Sequence, residues 1–447
     1  MKTVLLTVDA LRADHLSQYG YERETMPVVD RIAAEGTRFE AAFANGTNTG
    51  VSLPSLLSSR YFGVEDARTG PNVATAIDES GATTAGFHSN ALFSNRVGDV
   101  AGFDRYEDFG VADEQEEANT SSGVELAYDR VVDTLRPIVE RLGVRDYAEL
   151  VQERLFPTSL IHELSVYVDA ETLTDEVLAW TEDHADEDFF LWVHYMDPHR
   201  PYGIDPADPA FADPIGDDEI RDLMSRAGIS PETITDEDRE LMIDLYDSDL
   251  RYTSDQIDRL LDGFEELGIW DETGLVFTAD HGEEFDEHGH YFHRNRPYDE
   301  LLHVPLVVVD PVRSGDADAS AQRELLDVAP TLCEWHGVDV PEQFGGTPLF
   351  DGDGREVIAT GSFVEQGHVV AGRWDGWKYI HVEDGETELF DLDADPGETN
   401  DVAAVHPDTV ESFERAIPNP LFEGEPVSVD AAEGELQDRL ADLGYLE

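Results

Sequence analysis

Compact apolar runs alternate along the chain with stretches whose apolar residues recur at helical spacing. Thr3–Val8 (TVLLTV) is such a run. A strand covered by helices on both faces reads in this way, as continuous hydrophobic sequence rather than as alternation. Thr83–His88, Phe189–His194 (FFLWVH), Leu275–Ala279 (LVFTA) and Val304–Val309 (VPLVVV) have the same character. Helical patterns fall near Met26–Ala34, from Pro54 onward, and around Ala170–Thr181, Ser254–Leu267 and Gln322–His336. The alternation predicts an α/β fold with a mostly parallel central sheet flanked by helices. Residues 111–170 and 203–245 read as acidic, largely helical insertions between core strands. Beyond Arg355 the pattern changes to the short strand signals EVIATG, HVVAGRW, WKYIHV and TELFDL. These predict a small C-terminal antiparallel subdomain with a final helix. The expected organisation is an α/β domain over residues 1–350 followed by this subdomain over 351–447.

Composition narrows the picture. Of the 447 residues, 99 are acidic and 29 are lysine or arginine, a formal net charge of −70. Lys2 and Lys378 are the only lysines. Such a charge disfavours nucleic acid and anionic membrane surfaces as partners. Hydrophobic residues still make up 40% of the chain, enough for a folded core beneath an acidic coat. The coat suits concentrated salt, so it reports the medium rather than the ligand. Cys333 is the single cysteine; it excludes a disulfide framework and a cysteine-based metal site, and its apolar surroundings (ELLDVAPTLCEW) predict a buried small hydrophobe. The N-terminal apolar run is too short for an export signal or a membrane span, and no later stretch reaches spanning length. A soluble, cytoplasmic protein is the expectation.

Candidate chemistry gathers where the strand signals end. In open α/β sheets ligands collect at the carboxyl ends of strands. The first strand runs into Asp9, FFLWVH ends in His194 with His199 five residues on, and LVFTA leads into Asp280 and His281, with His293 twelve residues later. Taken singly, Asp9 reads as a helix cap, His194 as a core histidine and the Asp280–His281 pair as a polar turn. Taken together, carboxylates and imidazoles converging from separate strands require a cation to neutralise them. Two oxygens and one imidazole suit a divalent ion such as Zn²⁺ or Mn²⁺, while an all-oxygen set would suit Ca²⁺ or Mg²⁺. Between the first strand and the next helix, residues 46–59 read GTNTGVSLPSLLSS, with hydroxyls at Thr47, Thr49, Ser52 and Ser55. From the residues alone, Ser52 caps a helix and Thr49 is a spacer, or one of these oxygens is a nucleophile.

VDALRADHLSQYG, the hydroxyl-rich segment, GFDRYED, HYMDPHRPY, FTADHGEEFDEHG, YDELLHVPLVV, DVAPTL and ELFDLDADPGETND, in this order from about residue 2 to 402, resemble the sulfatase family of the alkaline phosphatase superfamily. The resemblance implies an alkaline-phosphatase-like fold and an ester hydrolase working with one divalent metal ion, Zn, Mn or Ca. Sulfatases carry a Cys or Ser, converted to formylglycine, in a C/S-x-P-S/A-R pattern. Ser52-Leu53-Pro54-Ser55 matches that start, but Leu56 stands where arginine belongs. In a second register LLSSRY (56–61) matches the family's LLTGRY, and counting back seven residues reaches Thr49. GTNTGVSLPS is also similar to the G-T-x-T-x-x-S-x-P segment of phosphoethanolamine transferases, whose nucleophile is the second threonine. Both counts converge on Thr49. The resemblance then implies Asp9, Thr49, Asp280 and His281 as the metal shell and His199 and His293 as substrate-gripping groups. Ser52 becomes the helix cap. Two departures from sulfatases stand out: Ala10 replaces a second aspartate, and His281 takes a position often held by asparagine. Arg12 is expected on the solvated surface, and His288 and His290 are weighed as a second metal site against structural hydrogen bonding.

The implied substrate is a small-molecule or glycan sulfate or phosphate ester, cleaved through a covalent Thr49 intermediate. Phosphoester or phosphodiester is favoured over sulfate because neither lysine falls in a matching motif. A formylglycine-type sulfatase using Ser52, a phosphoethanolamine-type phosphotransferase, and a non-catalytic binding protein of the same fold remain alternatives. The acidic coat carries its own test. Raising KCl from roughly 0.1 M, where the Debye length is about 10 Å, to about 1 M, where it is ~3 Å, should raise the melting temperature in scanning calorimetry. A melting temperature that falls or stays constant over that range contradicts the salt-adapted reading.

Overall fold

Strands β1 (Lys2–Val8), β5 (Phe189–Tyr195) and β6 (Thr273–Ala279) are buried along their whole length. β1 lies between β5 and β6 and pairs in parallel with both. In the computed structural model the described residues are 1–61, 70–90, 93, 101–109, 167–206, 208–293, 296–311, 319–351, 354–364, 367–383, 387–418 and 421–422. Nearly all of the insertion expected at 111–170 lies outside them. With β2 (Thr37–Phe43), β3 (Thr83–His88), β4 (Arg105–Glu107), β9 (His303–Val309) and β10 (Arg323–Glu324), the three strands form an eight-stranded sheet in the order β10-β2-β9-β6-β1-β5-β3-β4. Only β9 runs against its neighbours β2 and β6. Between β6 and β9, β7 (Glu284–Phe285) and β8 (Tyr291–Phe292) make a separate short hairpin. The mostly parallel α/β sheet is as the apolar runs predict.

Three local differences have physical causes. β2 escapes periodicity because its TRFEAAF sequence carries Arg38 and Glu40 and its pairing register shifts between Phe39 and Ala42. The helix expected over Ser254–Leu267 is the end of a 31-residue helix, Asp236–Glu266. Its start is fixed by a capping box between Thr235 and Asp238. Upstream its apolar stripe is interrupted by the buried acids Asp247 and Asp249, which hides the period. The third difference matters for function. The helix placed from Pro54, with Ser52 as its cap, begins instead at Thr49 and runs to Ser58 with Pro54 inside it. Asn48 is the N-cap, and its side chain accepts from the Val51 amide.

The short C-terminal strands form the expected antiparallel sheet: β11 (Ile358–Val364), β12 (Gly367–Trp374), β13 (Trp377–Val382) and β14 (Thr387–Asp391), hydrogen-bonded in that order. Helix Pro407–Ala416 covers one face, where Phe413 and Ile417 pack with Val370, Tyr379 and Leu389. On the other face Val369, Ile380 and Phe390 pack with Tyr298 of the larger body. Lys378, buried in β13, lies 2.7 Å from Asp299 Oδ1 and 3.2 Å from Glu398 Oε1, and Arg373 also binds Asp299. Burying an ammonium is tolerable only with such partners. Replacing it leaves Glu398 buried without its cation, so Lys378→Met should cost roughly 3 kcal/mol in urea unfolding. A loss below about 1 kcal/mol would show that the pair contributes little.

Candidate active site at the carboxyl edge of the sheet

Because β1, β5 and β6 are parallel and in register, Val8, Tyr195 and Ala279 lie side by side, and the residues that follow them leave the same edge of the sheet. There the chain after Asp9 turns sharply at Ala10, whose φ is +54°, a left-handed conformation that costs a non-glycine residue about 1–2 kcal/mol. Tyr246 of the long helix holds this turn: its hydroxyl donates to the Ala10 carbonyl at 2.7 Å and accepts from the Arg12 amide at 3.1 Å. The turn aims the Ala10 amide at Asp280 Oδ1, 3.2 Å away, and the His281 amide reaches the same oxygen at 2.9 Å. Gly282 permits the second turn. A Cβ there would stand 1.9 Å from the Glu300 carbonyl oxygen, inside the close pairing of the Gly282 amide with Leu301.

Asp9, Asp280 and His281 are fully buried and present ligand atoms that all lie within 4.8 Å of one another. Among the described residues no other group of three does so; His288 pairs with Glu300 at 3.2 Å and stacks on Tyr298. Asp9 Oδ1 and Asp280 Oδ2 have no hydrogen-bond partner. His281 Nδ1 is committed to the Gly282 carbonyl at 2.7 Å, so Nε2 is the nitrogen turned to the cluster. Thr49, the first residue of its helix, places Oγ1 3.1 Å from both Asp9 Oδ2 and His281 Nε2. Two unsatisfied buried carboxylate oxygens beside an imidazole nitrogen fit a divalent cation.

The imidazoles surround this cluster. His194 Nε2 lies 3.5 Å from Asp9 Oδ2, and Thr7 holds its Nδ1 at 2.9 Å. Burial alone would raise the Asp9 carboxyl, but His194, His199 and His281 outweigh it and hold Asp9 below the usual carboxylate range. For His281 the order is the same: burial opposes protonation, and Asp280 and Asp9 nevertheless keep its pKa raised. The His199 and His293 rings are 5.6 Å apart, and His293 is 4.7 Å from His281. Burial pushes His199 down to about 4. All six residues singled out from the sequence thus meet at one edge.

Other expectations are corrected. Ser52 neither caps the helix nor faces the cluster with a spare hydroxyl; its Oγ donates to the Asp280 carbonyl at 2.6 Å. Arg12 is buried rather than solvated, bound by Asp14 at 2.7 Å, by Glu287 at 2.5 Å and by the Glu283 carbonyl at 2.9 Å. Sequence reasoning passed over Asn48, Tyr246 and Glu283. Glu283 follows Asp280-His281-Gly282 directly, and that adjacency was the available signal.

Residues 2–338 match the family model described as Sulfatase, so the chain belongs to the sulfatase family. Arylsulfatase K of Xenopus laevis is 28% identical over 177 residues, covering 35% of this chain and 33% of that protein. The chain therefore spans about a third of the length of the arylsulfatase K relatives it matches. An arylsulfatase of Clostridium perfringens is 24% identical over 441 residues, with 88% of both chains covered. Among solved structures, a protein in complex with its substrate D-glucosamine-2-N,6-O-disulfate superposes with a TM-score of 0.66 at 18% identity, covering 99% of this chain and 98% of that one. The phosphonate monoester hydrolase of Agrobacterium radiobacter gives 0.66 at 19% identity, with 93% and 94% covered. Among the described residues no helix is long and apolar enough to cross a membrane.

The cluster predicts a stabilising ion. After dialysis against a chelator, Mn²⁺, Zn²⁺ or Ca²⁺ at about 100 times its Kd should stabilise the protein by ~2.7 kcal/mol. The gain should vanish in Asp9→Asn and Asp280→Asn. Equal stabilisation of these variants and the parent would place the ion elsewhere.

Proposed function

We propose that this protein is a metal-dependent ester hydrolase that works through a covalent Thr49 intermediate, with phosphate esters, diesters above all, favoured over sulfate esters. The observation that carries the reading is the 3.1 Å approach of Thr49 Oγ1 to both Asp9 and His281, while Ser52 is tied to a backbone carbonyl. A threonine hydroxyl is a weak nucleophile at neutral pH. A divalent cation held by Asp9, Asp280 and His281 would lower its pKa and draw charge from the ester oxygens. The proton of Thr49 points at Asp9 Oδ2 in this structure, a carboxylate able to hold it. The helix beginning at Thr49 turns its positive end toward the bound anion.

Oγ1 attacks phosphorus in line, forming the new P–O bond as the bond to the leaving oxygen breaks. His199 or His293 hydrogen-bonds or protonates that oxygen. Water then cleaves the threonine ester and regenerates the hydroxyl.

Charge selects the substrate class. Two carboxylates offset a divalent ion, so the site is close to neutral before an ester arrives. Lys2 is paired with Glu272 and Lys378 with Asp299 and Glu398, so neither lysine serves the site. Arg12 is occupied by carboxylates. A singly charged ester, such as a phosphodiester, fits this balance better than a doubly charged monoester. The missing lysines, together with a threonine that cannot become formylglycine, disfavour the usual sulfatase route.

The test is a panel of p-nitrophenyl sulfate, phosphate and phosphodiester with metal added back. Thr49→Ala should lower turnover on the best ester by on the order of 10³-fold or more, and Ser52→Ala far less. Acid-quenched protein should carry its adduct on the peptide containing Thr49. Full activity in Thr49→Ala, or the mass of formylglycine at Ser52, would overturn the reading.

A further inference from the structure

The two histidines beside Thr49 are held differently. His199 Nδ1 lies 2.7 Å from the backbone carbonyl of Arg200, a neutral acceptor. His293 Nδ1 lies 3.0 Å from Oε1 of Glu283, a carboxylate with no exposed surface. The other oxygen of Glu283 accepts from the Tyr202 hydroxyl at 2.6 Å. Its own carbonyl takes the Arg12 guanidinium at 2.9 Å, and its amide is bound to the Glu300 carbonyl at 3.2 Å. Glu283 therefore cannot swing. Tyr202 is itself fully buried, against Tyr246, Phe285 and Phe292.

We infer that Glu283 is a positioning residue that makes His293, rather than His199, the proton donor to the leaving group, with Tyr202 fixing the carboxylate. The inference rests on the ester-cleaving reading above and deepens it. With Nδ1 committed to Glu283, proton exchange with a ligand runs through Nε2. A carboxylate on Nδ1 favours the doubly protonated ring and keeps it turned toward the cluster; a carbonyl on Nδ1 orients a ring but lends it no charge. When the bond from phosphorus to the leaving oxygen breaks, that oxygen keeps the electron pair and takes the Nε2 proton. The alcohol departs neutral, and His293 remains a neutral ring with Nδ1–H on Glu283. His199 contributes a hydrogen bond to the ester and no proton. The arrangement parallels catalytic pairs in which a buried carboxylate orients an imidazole without being protonated itself.

Leaving-group dependence separates this role from a structural one. An ester with a good leaving group needs little protonation, so phenyl and p-nitrophenyl esters of the preferred acid differ in their need for His293. In Glu283→Gln both esters should slow, the phenyl ester at least about tenfold more than the p-nitrophenyl ester. His293→Ala should show the same imbalance, and the double variant should be no worse than His293→Ala alone. His199→Ala should slow both esters equally. Tyr202→Phe, which keeps the carboxylate, should shift the ratio in the same direction by a smaller factor, and it serves if Glu283→Gln fails to fold. An unchanged ratio in Glu283→Gln and Tyr202→Phe, or additive losses in the double variant, would overturn the inference. Parent protein inactive on every ester would instead sink the hydrolase reading beneath it.

Discussion

Two carboxylates buried side by side, with an oxygen of each left unsatisfied, is the constraint around which the rest of this molecule is arranged. Desolvated like charges at that separation are unfavourable without a counter-charge. The fold nevertheless enforces them through rigid parts: parallel strands that end in register, a left-handed turn at Ala10 clamped by Tyr246, and a glycine packed against the Glu300 carbonyl. The strain and the repulsion have the same location, which is where a cation and an anionic ester would relieve them.

Around that centre the helix Thr49–Ser58 and the long helix Asp236–Glu266 divide the work. The first delivers a hydroxyl at its positive end. The second contributes no ligand to the cluster and acts through Tyr246, which ties the first strand's exit to the helical layer. The imidazoles form a further ring, each with one nitrogen anchored: His194 by Thr7, His199 by a carbonyl, His281 by a carbonyl and His293 by Glu283. Anchoring one nitrogen defines which nitrogen meets the substrate, so the site arrives oriented.

Much of this was legible in the chain because strand cores and the residues that follow them are local features. Asp9, Asp280 and His281 each stand one or two positions beyond an apolar run. What could not be read depends on distant contacts. The cap of the Thr49 helix was assigned to Ser52 because Pro54 imitates a helix start, whereas Asn48 holds the true one. Glu283 was lost among 99 acidic residues, most of which are solvent coat, and only its contacts with His293 and Tyr202 set it apart. Arg12 looked like surface for the opposite reason: its neutralising acids, Asp14 and Glu287, lie on both sides of a fold that brings residue 287 back to residue 12.

Threonine at position 49 carries a consequence that serine would not. Its branched Cβ confines χ1 on a helix to two wells, and the contacts with Asp9 and His281 select one of them. The extra methyl thus works as a mechanical stop. The oxygen is trained on its target by the geometry of the backbone, and little rotational freedom remains to be given up at the moment of attack.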